Sequence, residues 1–258
     1  MKTVLLAGGL GTRLREETEF RPKPMVEVGS RPILWHIMKM YESAGFTEFI
    51  VCAGYKSDII KQYFANVINL SGDFRIEYRG NTPVQFIDGD IPDWSVTVSD
   101  TGFGTMTGGR IKKVQKYIGT SRFFCTYGDG LSDVDIQALL NFHKSQNTIA
   151  TVTAVHPTSR FGQLQLDKEN KVLDFNEKPM NEEWINGGFF VFEPEIFDYL
   201  TENCILERDV LPWLAREGQL SAFKHGGFWQ PMDTFRESQL LNQLWDQGMA
   251  PWERNQKK

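Results

Sequence analysis

The chain has 258 residues, of which 41% are hydrophobic and 24% charged, and its formal net charge is −5. That length and apolar content build a substantial core without disulfides or metals, and they favour one domain with lobes over two. An acidic chain with no long run of one sign makes a poor general surface for nucleic acid or membrane, so any anion site must be a local basic pocket.

The elements follow in chain order. Thr3 to Ala7 reads as a buried strand that runs into "GGLGTRL", Gly8 to Leu14. Ile33, Leu34, Ile37, Met38 and Tyr41 recur at helical spacing, with Gly45 as a stop. Glu48 to Gly54 is the next strand, and Ser57 can cap a helix carrying Ile59, Ile60, Tyr63, Phe64 and Val67. Asp73 to Arg79 alternates with period two and sets Phe74, Ile76 and Tyr78 on one face. "RFFCTYG", Arg122 to Gly128, is a third buried strand; Asp133 can cap a helix with Ile136, Leu139 and Leu140; "TIATVTAV", Thr148 to Val155, is a fourth. Gly162 to Phe175 reads as a hairpin turning near Lys168 to Asn170. Trp184 to Phe192 is a strong strand, and a helix starts from Pro194. Thr234 to Gly248 is amphipathic, with Leu240, Leu241 and Leu244 on one face. Strands alternating with helices predict an α/β fold: a Rossmann-like three-layer α/β/α core with a mixed, mainly parallel central sheet and β-hairpin additions.

The three cysteines, Cys52, Cys125 and Cys204, lack CxxC spacing and sit in or beside apolar stretches. Buried free thiols in a reducing compartment are expected. No apolar run approaches the roughly 18 residues of a membrane span, so a cytoplasmic location is expected.

A strand leading through glycines to a helix is a common phosphate-binding arrangement, because bare backbone N–H groups can approach an anion. Two familiar versions are absent. A GxGxxG fingerprint needs glycines at positions one, three and six, whereas here they fall at 8, 9 and 11 with Leu14 beyond, and there is no GxxxxGK[ST] loop. By itself the cluster also reads as a tight structural turn. Arg13 and Lys23 favour the anion site, since a guanidinium forks onto phosphate oxygens and an ammonium acts as a point charge. Pro22 and Pro24 stiffen the backbone under Lys23; a solvated lysine in an irregular loop is the plain alternative.

"LAGGLGTRL" with "RPKPM" resembles the signature of the sugar-phosphate nucleotidyltransferases. "ILWHIMKMY", "DTGFGTMTGGR", "TYGDG", "FNEKP", "INGGFFVFEP" and "GFWQPMDTFRE" follow in order over nearly the whole chain and narrow the resemblance to members that join CTP to a sugar phosphate. The resemblance implies conversion of CTP and α-D-glucose 1-phosphate to CDP-glucose and pyrophosphate, with Mg²⁺. It also implies a homo-oligomer, for which hexamers are the precedent. On this basis residues 1–258 form one domain, with a nucleotide-binding half over about 1–130 and a sugar-phosphate-binding and C-terminal half over about 131–258. Two places depart from the pattern: Asn176, where the family has Gln, and Asn81 to Trp94, which has no match.

In such a reaction an oxygen of the sugar phosphate attacks the α-phosphorus in line. The nucleophile is already an anion, so positioning and charge neutralisation matter more than a general base. Asp129 follows a buried strand, where ligands of open α/β sheets bind, and is also a plausible turn aspartate. Asp233 is equally placed to cap the helix that follows it. The resemblance puts Asp129 and Asp233 on Mg²⁺, whose chemistry suits hard carboxylate oxygens. It makes Arg13, Lys23 and Asp129 the catalytic candidates, with Arg13 on the departing phosphates and Lys23 at the reacting one. Leu6, Ala7, Gly8, Gly9, Gly11, Thr12 and Gly128 would line the nucleotide, joined by Thr105 and Arg110 from "GTMTGGR". The hydroxyls of Thr105 and Thr107 and the Arg110 guanidinium suit the cytosine edge, although Arg110 also reads as a solvated residue of a helix start. Glu177 and Lys178 are carried over to the glucose and its phosphate, with Asn186 and Gly187 completing the pocket; a surface ion pair at a strand end is the alternative. His36, His143, His156 and His225 read as structural or solvated, and Trp229 as packing. Transfer from dTTP or UTP, or to another hexose 1-phosphate, is the in-class alternative. A dinucleotide oxidoreductase is disfavoured by the glycine spacing. A non-catalytic sugar-nucleotide sensor would not need Arg13, Lys23, Asp129, Lys178 and Asp233 together.

Overall fold

The computed structural model describes residues 1–70, 72–76, 85–89, 92–157, 163–176 and 183–256. Strand β1 (Lys2–Ala7) leads to the short α1 (Arg15–Thr18), a 3-10 turn at Lys23–Met25, the ribbon β2 (Glu27–Val28) with β3 (Arg31–Pro32), and α2 (Ile33–Ser43). Then come β4 (Glu48–Ala53), α3 (Ser57–Leu70), a ribbon of β5 (Gly72–Arg75) with β6 (Gln85–Gly89), and β7 (Ser95–Asp100). Helices α4 (Thr107–Lys113) and α5 (Gln115–Ile118) return the chain to β8 (Phe123–Tyr127), β9 (Gly130–Ser132), α6 (Ile136–Gln146) and β10 (Ala150–Val155). A hairpin of β11 (Gln163–Leu166) and β12 (Val172–Asn176) precedes β13 (Ile185–Phe192). A π turn at Leu206–Val210 runs into α7 (Leu211–Arg216), followed by β14 (Leu220–His225), β15 (Trp229–Pro231) and α8 (Phe235–Asp246).

Seven strands form the central sheet in the order β14-β10-β13-β8-β1-β4-β7. β13 runs antiparallel to both of its neighbours, and the remaining pairs are parallel. The sheet is therefore mixed and mainly parallel, as the alternation of strands and helices predicts. Strand alternation sorts the apolar side chains onto its two faces. Leu5, Ala7, Phe49, Val51 and Ala53 pack with Leu34, Ile37 and Tyr41 of α2 and Leu241 of α8. Val4, Leu6, Ile50, Cys52 and Cys125 pack on the other side with Ile111 of α4 and Leu214 of α7. Both faces are covered, so strands such as β1 read as continuous apolar runs.

Local details correct several expectations. Asp135, not Asp133, caps α6, its carboxylate accepting the Ala138 N–H at 2.8 Å. Ser132 is still in β9, so the helix starts two residues later, and Asp133 instead meets His225 at 3.0 Å. Ser57 is the first residue of α3, and its hydroxyl donates to Asp100 at 2.8 Å. Leu240 is 40% exposed while Leu241 is fully buried, because one helical step turns the side chain out of the apolar stripe. The segment after Pro194 is a 3-10 turn through Asp198. Strand β5 ends at Arg75, and Tyr78 lies outside the described residues. The three cysteines are free and buried. Among the described residues no helix is long and apolar enough to cross a membrane.

Candidate active site

β1 lies between β4 and β8, so the chain builds the sheet outward in one direction and then resumes on the other side of its first strand. Such a switch in strand order opens a crevice at the carboxyl ends of the strands. The pairing of Leu6 with Tyr127 sets the glycine loop beside Gly128 and Asp129 there. A cavity of about 650 Å³ opens at this point. Leu6, Ala7, Gly8, Gly9, Gly11, Thr12, Arg13, Lys23, Thr105, Arg110, Gly128, Asp129, Asn186, Gly187 and Asp233 all line it. Glu177 and Lys178 lie outside the described residues.

A charge cluster occupies one wall. The Lys23 ammonium is 2.5 Å from Asp129 Oδ2 and 2.6 Å from Asp233 Oδ1, and Arg13 Nη1 is 2.6 Å from Asp233 Oδ2. Antiparallel pairing of β9 with β15, extended by Met232 N donating to the Asp129 carbonyl at 2.8 Å, brings the two aspartates together across the sequence. The cap of α8 falls to Thr234, which forms a reciprocal capping box with Glu237. That leaves the Asp233 carboxylate to the cluster. Burial alone would push the Lys23 pKa down, but the Asp129 and Asp233 carboxylates outweigh it and hold the pKa above its ordinary value. Lys23 is 8% exposed at its side chain and Arg13 69%, so one cation is fixed and the other is free to follow a ligand.

The glycine loop is shaped by Arg110, which is buried rather than solvated. Its Nη1 donates to Thr101 Oγ1 at 2.6 Å, the Gly102 carbonyl at 2.9 Å and the Ala53 carbonyl at 3.2 Å. Its Nη2 donates to the carbonyls of Gly8 at 2.9 Å and Phe103 at 3.3 Å. A Cβ at Gly8 would stand 2.1 Å from Arg110 Nη1, so this position requires glycine. Gly11 requires it for another reason, a φ of +64°. The Thr105 hydroxyl donates to the Thr101 carbonyl at 2.6 Å, and Thr107 donates to Glu207 at 2.7 Å. Arg110 and Thr105 therefore help to set the shape of the cavity wall at the glycine loop through the protein's own oxygens.

On the opposite half of the sheet, β13 carries an irregular register against β10, with Gly188 at φ +84° and Phe189 at φ +33°. Such bulges re-aim side chains next to sites. Asn186 Oδ1 accepts the Gly188 N–H at 2.8 Å, and its amide nitrogen donates to Tyr127 Oη at 3.1 Å. Trp229 lines the cavity and donates to the Gly187 carbonyl at 2.7 Å, so it does more than pack. Thr107 lines the cavity as well, and so do Tyr127, Thr126, Met106 and Glu207, which the sequence does not single out as site residues. Tyr127 carries a signal, two positions before Asp129; Glu207 carries none. The four histidines are bound to neighbours: His36 to the Val28 carbonyl, His143 to Thr151, His156 to the Glu183 carbonyl and His225 to Asp133.

Among the described residues no group of three or more histidine, cysteine, aspartate or glutamate side chains converges. The two carboxylates at Lys23 still fit Mg²⁺, which takes one or two protein carboxylates and completes its shell with water and substrate phosphates.

The nucleotidyl transferase family model matches residues 2–230. The chain is 48% identical over 255 residues to glucose-1-phosphate cytidylyltransferase of Salmonella typhimurium, covering 98% of each chain. It is 39% identical to a Bacillus subtilis protein named "Probable glucose-1-phosphate cytidylyltransferase", covering 98% of this chain and 99% of that one. The fold is similar to that of UDP-glucose pyrophosphorylase complexed with UDP-glucose, with a TM-score of 0.68, 16% identity, and coverage of 96% and 98%. The chain thus belongs to the nucleotidyl transferase family, together with the glucose-1-phosphate cytidylyltransferases it resembles over almost its whole length.

Proposed function

We propose that the protein transfers the cytidylyl group of CTP to α-D-glucose 1-phosphate, forming CDP-glucose and pyrophosphate. One observation above all supports this chemistry: Lys23, Asp129, Asp233 and Arg13 meet beside a glycine loop at the switch point of the sheet. An oxygen of the sugar phosphate bonds to the α-phosphorus, and the bond from that phosphorus to the bridging oxygen of the leaving pyrophosphate breaks. No proton need move, so the residues act by position and charge.

On this reading the backbone of Leu6 to Gly9 receives the base and ribose, and the N–H groups after Gly9 approach the triphosphate. Lys23 turns from its two carboxylates toward the reacting phosphate, while exposed Arg13 follows the departing ones. Asp129 and Asp233 would hold Mg²⁺, which supplies charge neutralisation at the triphosphate when bound. Glu177 and Lys178 are assigned by the motif resemblance to glucose and its phosphate, and Asn186 and Gly187 to the same pocket. The cysteine pattern supports a reducing, cytoplasmic setting, and the motif resemblance supports a homo-oligomer with a hexamer as its model. No role with nucleic acid or membrane is proposed, in keeping with the net charge of −5.

Pyrophosphate release across a matrix of nucleoside triphosphates and hexose 1-phosphates tests the reading. The highest turnover is expected for CTP with glucose 1-phosphate. A preference for dTTP or UTP would overturn the base assignment, and a preference for another hexose would overturn the sugar assignment.

A further inference from the structure

A second network lines the same cavity and centres on Glu207. This residue sits in the π turn Leu206–Val210, a local widening of the helix that recurs at functional sites. Its Oε1 accepts from Tyr127 Oη at 2.6 Å, and its Oε2 accepts from Thr107 Oγ1 at 2.7 Å. Thr107 in turn accepts the Leu206 N–H at 2.9 Å, which holds the π turn against the start of α4. The carboxylate bridges the nucleotide half of the cavity, through Thr107, and the half carrying Tyr127 and Asn186.

The directions of these bonds are forced. An ionised carboxylate only accepts, so Tyr127 must donate to it. A phenol carries one hydrogen near neutral pH, and at 2.6 Å from Oε1 that hydrogen goes to the carboxylate. With its hydrogen committed, the phenol oxygen accepts the Asn186 amide N–H. The other end of that amide is fixed by the Gly188 N–H on Oδ1. One carboxylate thereby sets the rotamer and flip of a side chain on the sugar side. Asn186 retains a second N–H and Glu207 retains lone pairs, a donor and an acceptor of the kind that reads a hydroxyl.

We infer that Glu207 is a positioning residue for the sugar: through Tyr127 it locks the Asn186 amide toward a hexose hydroxyl, and so makes the site choose among hexose 1-phosphates. This rests on the reading that the cavity takes a sugar 1-phosphate. A site whose buried polar groups are fixed in this way rejects a hydroxyl of the wrong configuration, because the wrong epimer leaves those groups unpaired.

The test measures steady-state pyrophosphate release for the wild type, Glu207→Gln, Tyr127→Phe and the double variant, with glucose 1-phosphate and its C2 and C4 epimers. Each single variant should raise KM for the preferred sugar phosphate about ten-fold, with less than about a two-fold change in KM for CTP. Each should also narrow the preference among epimers, and the double variant should be no worse than the poorer single one, since both act through one chain of bonds. Tyr127→Phe keeps the test open if Glu207→Gln does not fold. Unchanged sugar KM and epimer preference in the folded variants would overturn the inference, as would fully additive losses or a rise confined to the CTP KM. Failure of the wild type to turn over any sugar 1-phosphate would overturn the underlying reading, and the inference with it.

Discussion

Two networks of opposite character share one cavity. Around Lys23, two cations and two carboxylates neutralise one another at 2.5 to 2.6 Å. Around Glu207, one carboxylate organises neutral donors from Tyr127 and Thr107 and, through them, Asn186. The first network can re-partner when a triphosphate arrives, because Lys23 spends two of its three N–H groups on the aspartates and exposed Arg13 can leave Asp233 for a phosphate. The second is already in place and gains only an additional ligand. A site for phosphoryl chemistry needs both kinds: charges that can be handed over, and a frame that stays fixed while they move.

The largest expected effect comes from removing the shared cation. Lys23→Met keeps the buried stem and should lower kcat on the order of a thousand-fold, read by pyrophosphate release in Mg²⁺-containing buffer with the fold checked by circular dichroism. Rates near those of the wild type would show that the charged network is structural. Next come Asp129→Asn and Asp233→Asn, each expected to reduce activity on the order of a hundred-fold and to shift the Mg²⁺ titration to higher concentration. A variant that keeps the wild-type Mg²⁺ response would remove that residue from the metal site. Gly8→Ala probes the fixed frame: its Cβ would meet the Arg110 guanidinium, so the KM for CTP should rise about ten-fold with a smaller change in KM for the sugar phosphate. Equal changes in both would mean that Arg110 braces the whole cavity and not its nucleotide wall.

The smallest effect belongs to neither network. His36 is fully buried, its Nε2–H donates to the Val28 carbonyl, and its Nδ1 accepts the Trp252 indole N–H at 3.4 Å. Burial pulls its pKa from 6.5 down to about 4. A histidine depressed in the fold binds its proton more tightly when unfolded, so its contribution is complete above pH 6.5 and is lost as the pH falls toward 4. The loss amounts to about 3 kcal/mol at full protonation. Urea unfolding at pH 7 and pH 4.5 should show a larger drop for the wild type than for His36→Gln. Equal drops would mean that acid sensitivity resides in the carboxylates of the site instead.

The charged network is legible in the sequence, and of the neutral one only Asn186 and Thr107 are, while the Glu207–Tyr127 link that joins them is not, for a physical reason. Arg13 and Lys23 stand among glycines and prolines, residues that constrain the backbone where a ligand must approach it, and Asp129 follows a buried strand between two glycines. Glu207 carries no local signature, because its partners Thr107 and Tyr127, and Asn186 beyond Tyr127, come from three other elements that only the fold unites. The pattern around Arg110 reads as the polar face of an amphipathic helix, yet that face looks onto a ring of carbonyls instead of water. At Asp233 the choice between cap and site is resolved one residue away, where Thr234 takes the cap. The sheet and its layers are readable because fully buried strands and amphipathic helices have different periods. Element starts are less so, as Asp133 and Asp135 show: two aspartates near one helix offer the same chemistry, and strand β9 decides between them.

The most direct test of the account follows the α-phosphorus. CTP labelled at that position is incubated with glucose 1-phosphate and Mg²⁺, using wild type and Lys23→Met side by side. The account predicts that the wild type carries the label into CDP-glucose while unlabelled pyrophosphate departs, and that the folded variant does so on the order of a thousand-fold more slowly. Label released as CMP, or undiminished transfer by the variant, would contradict it.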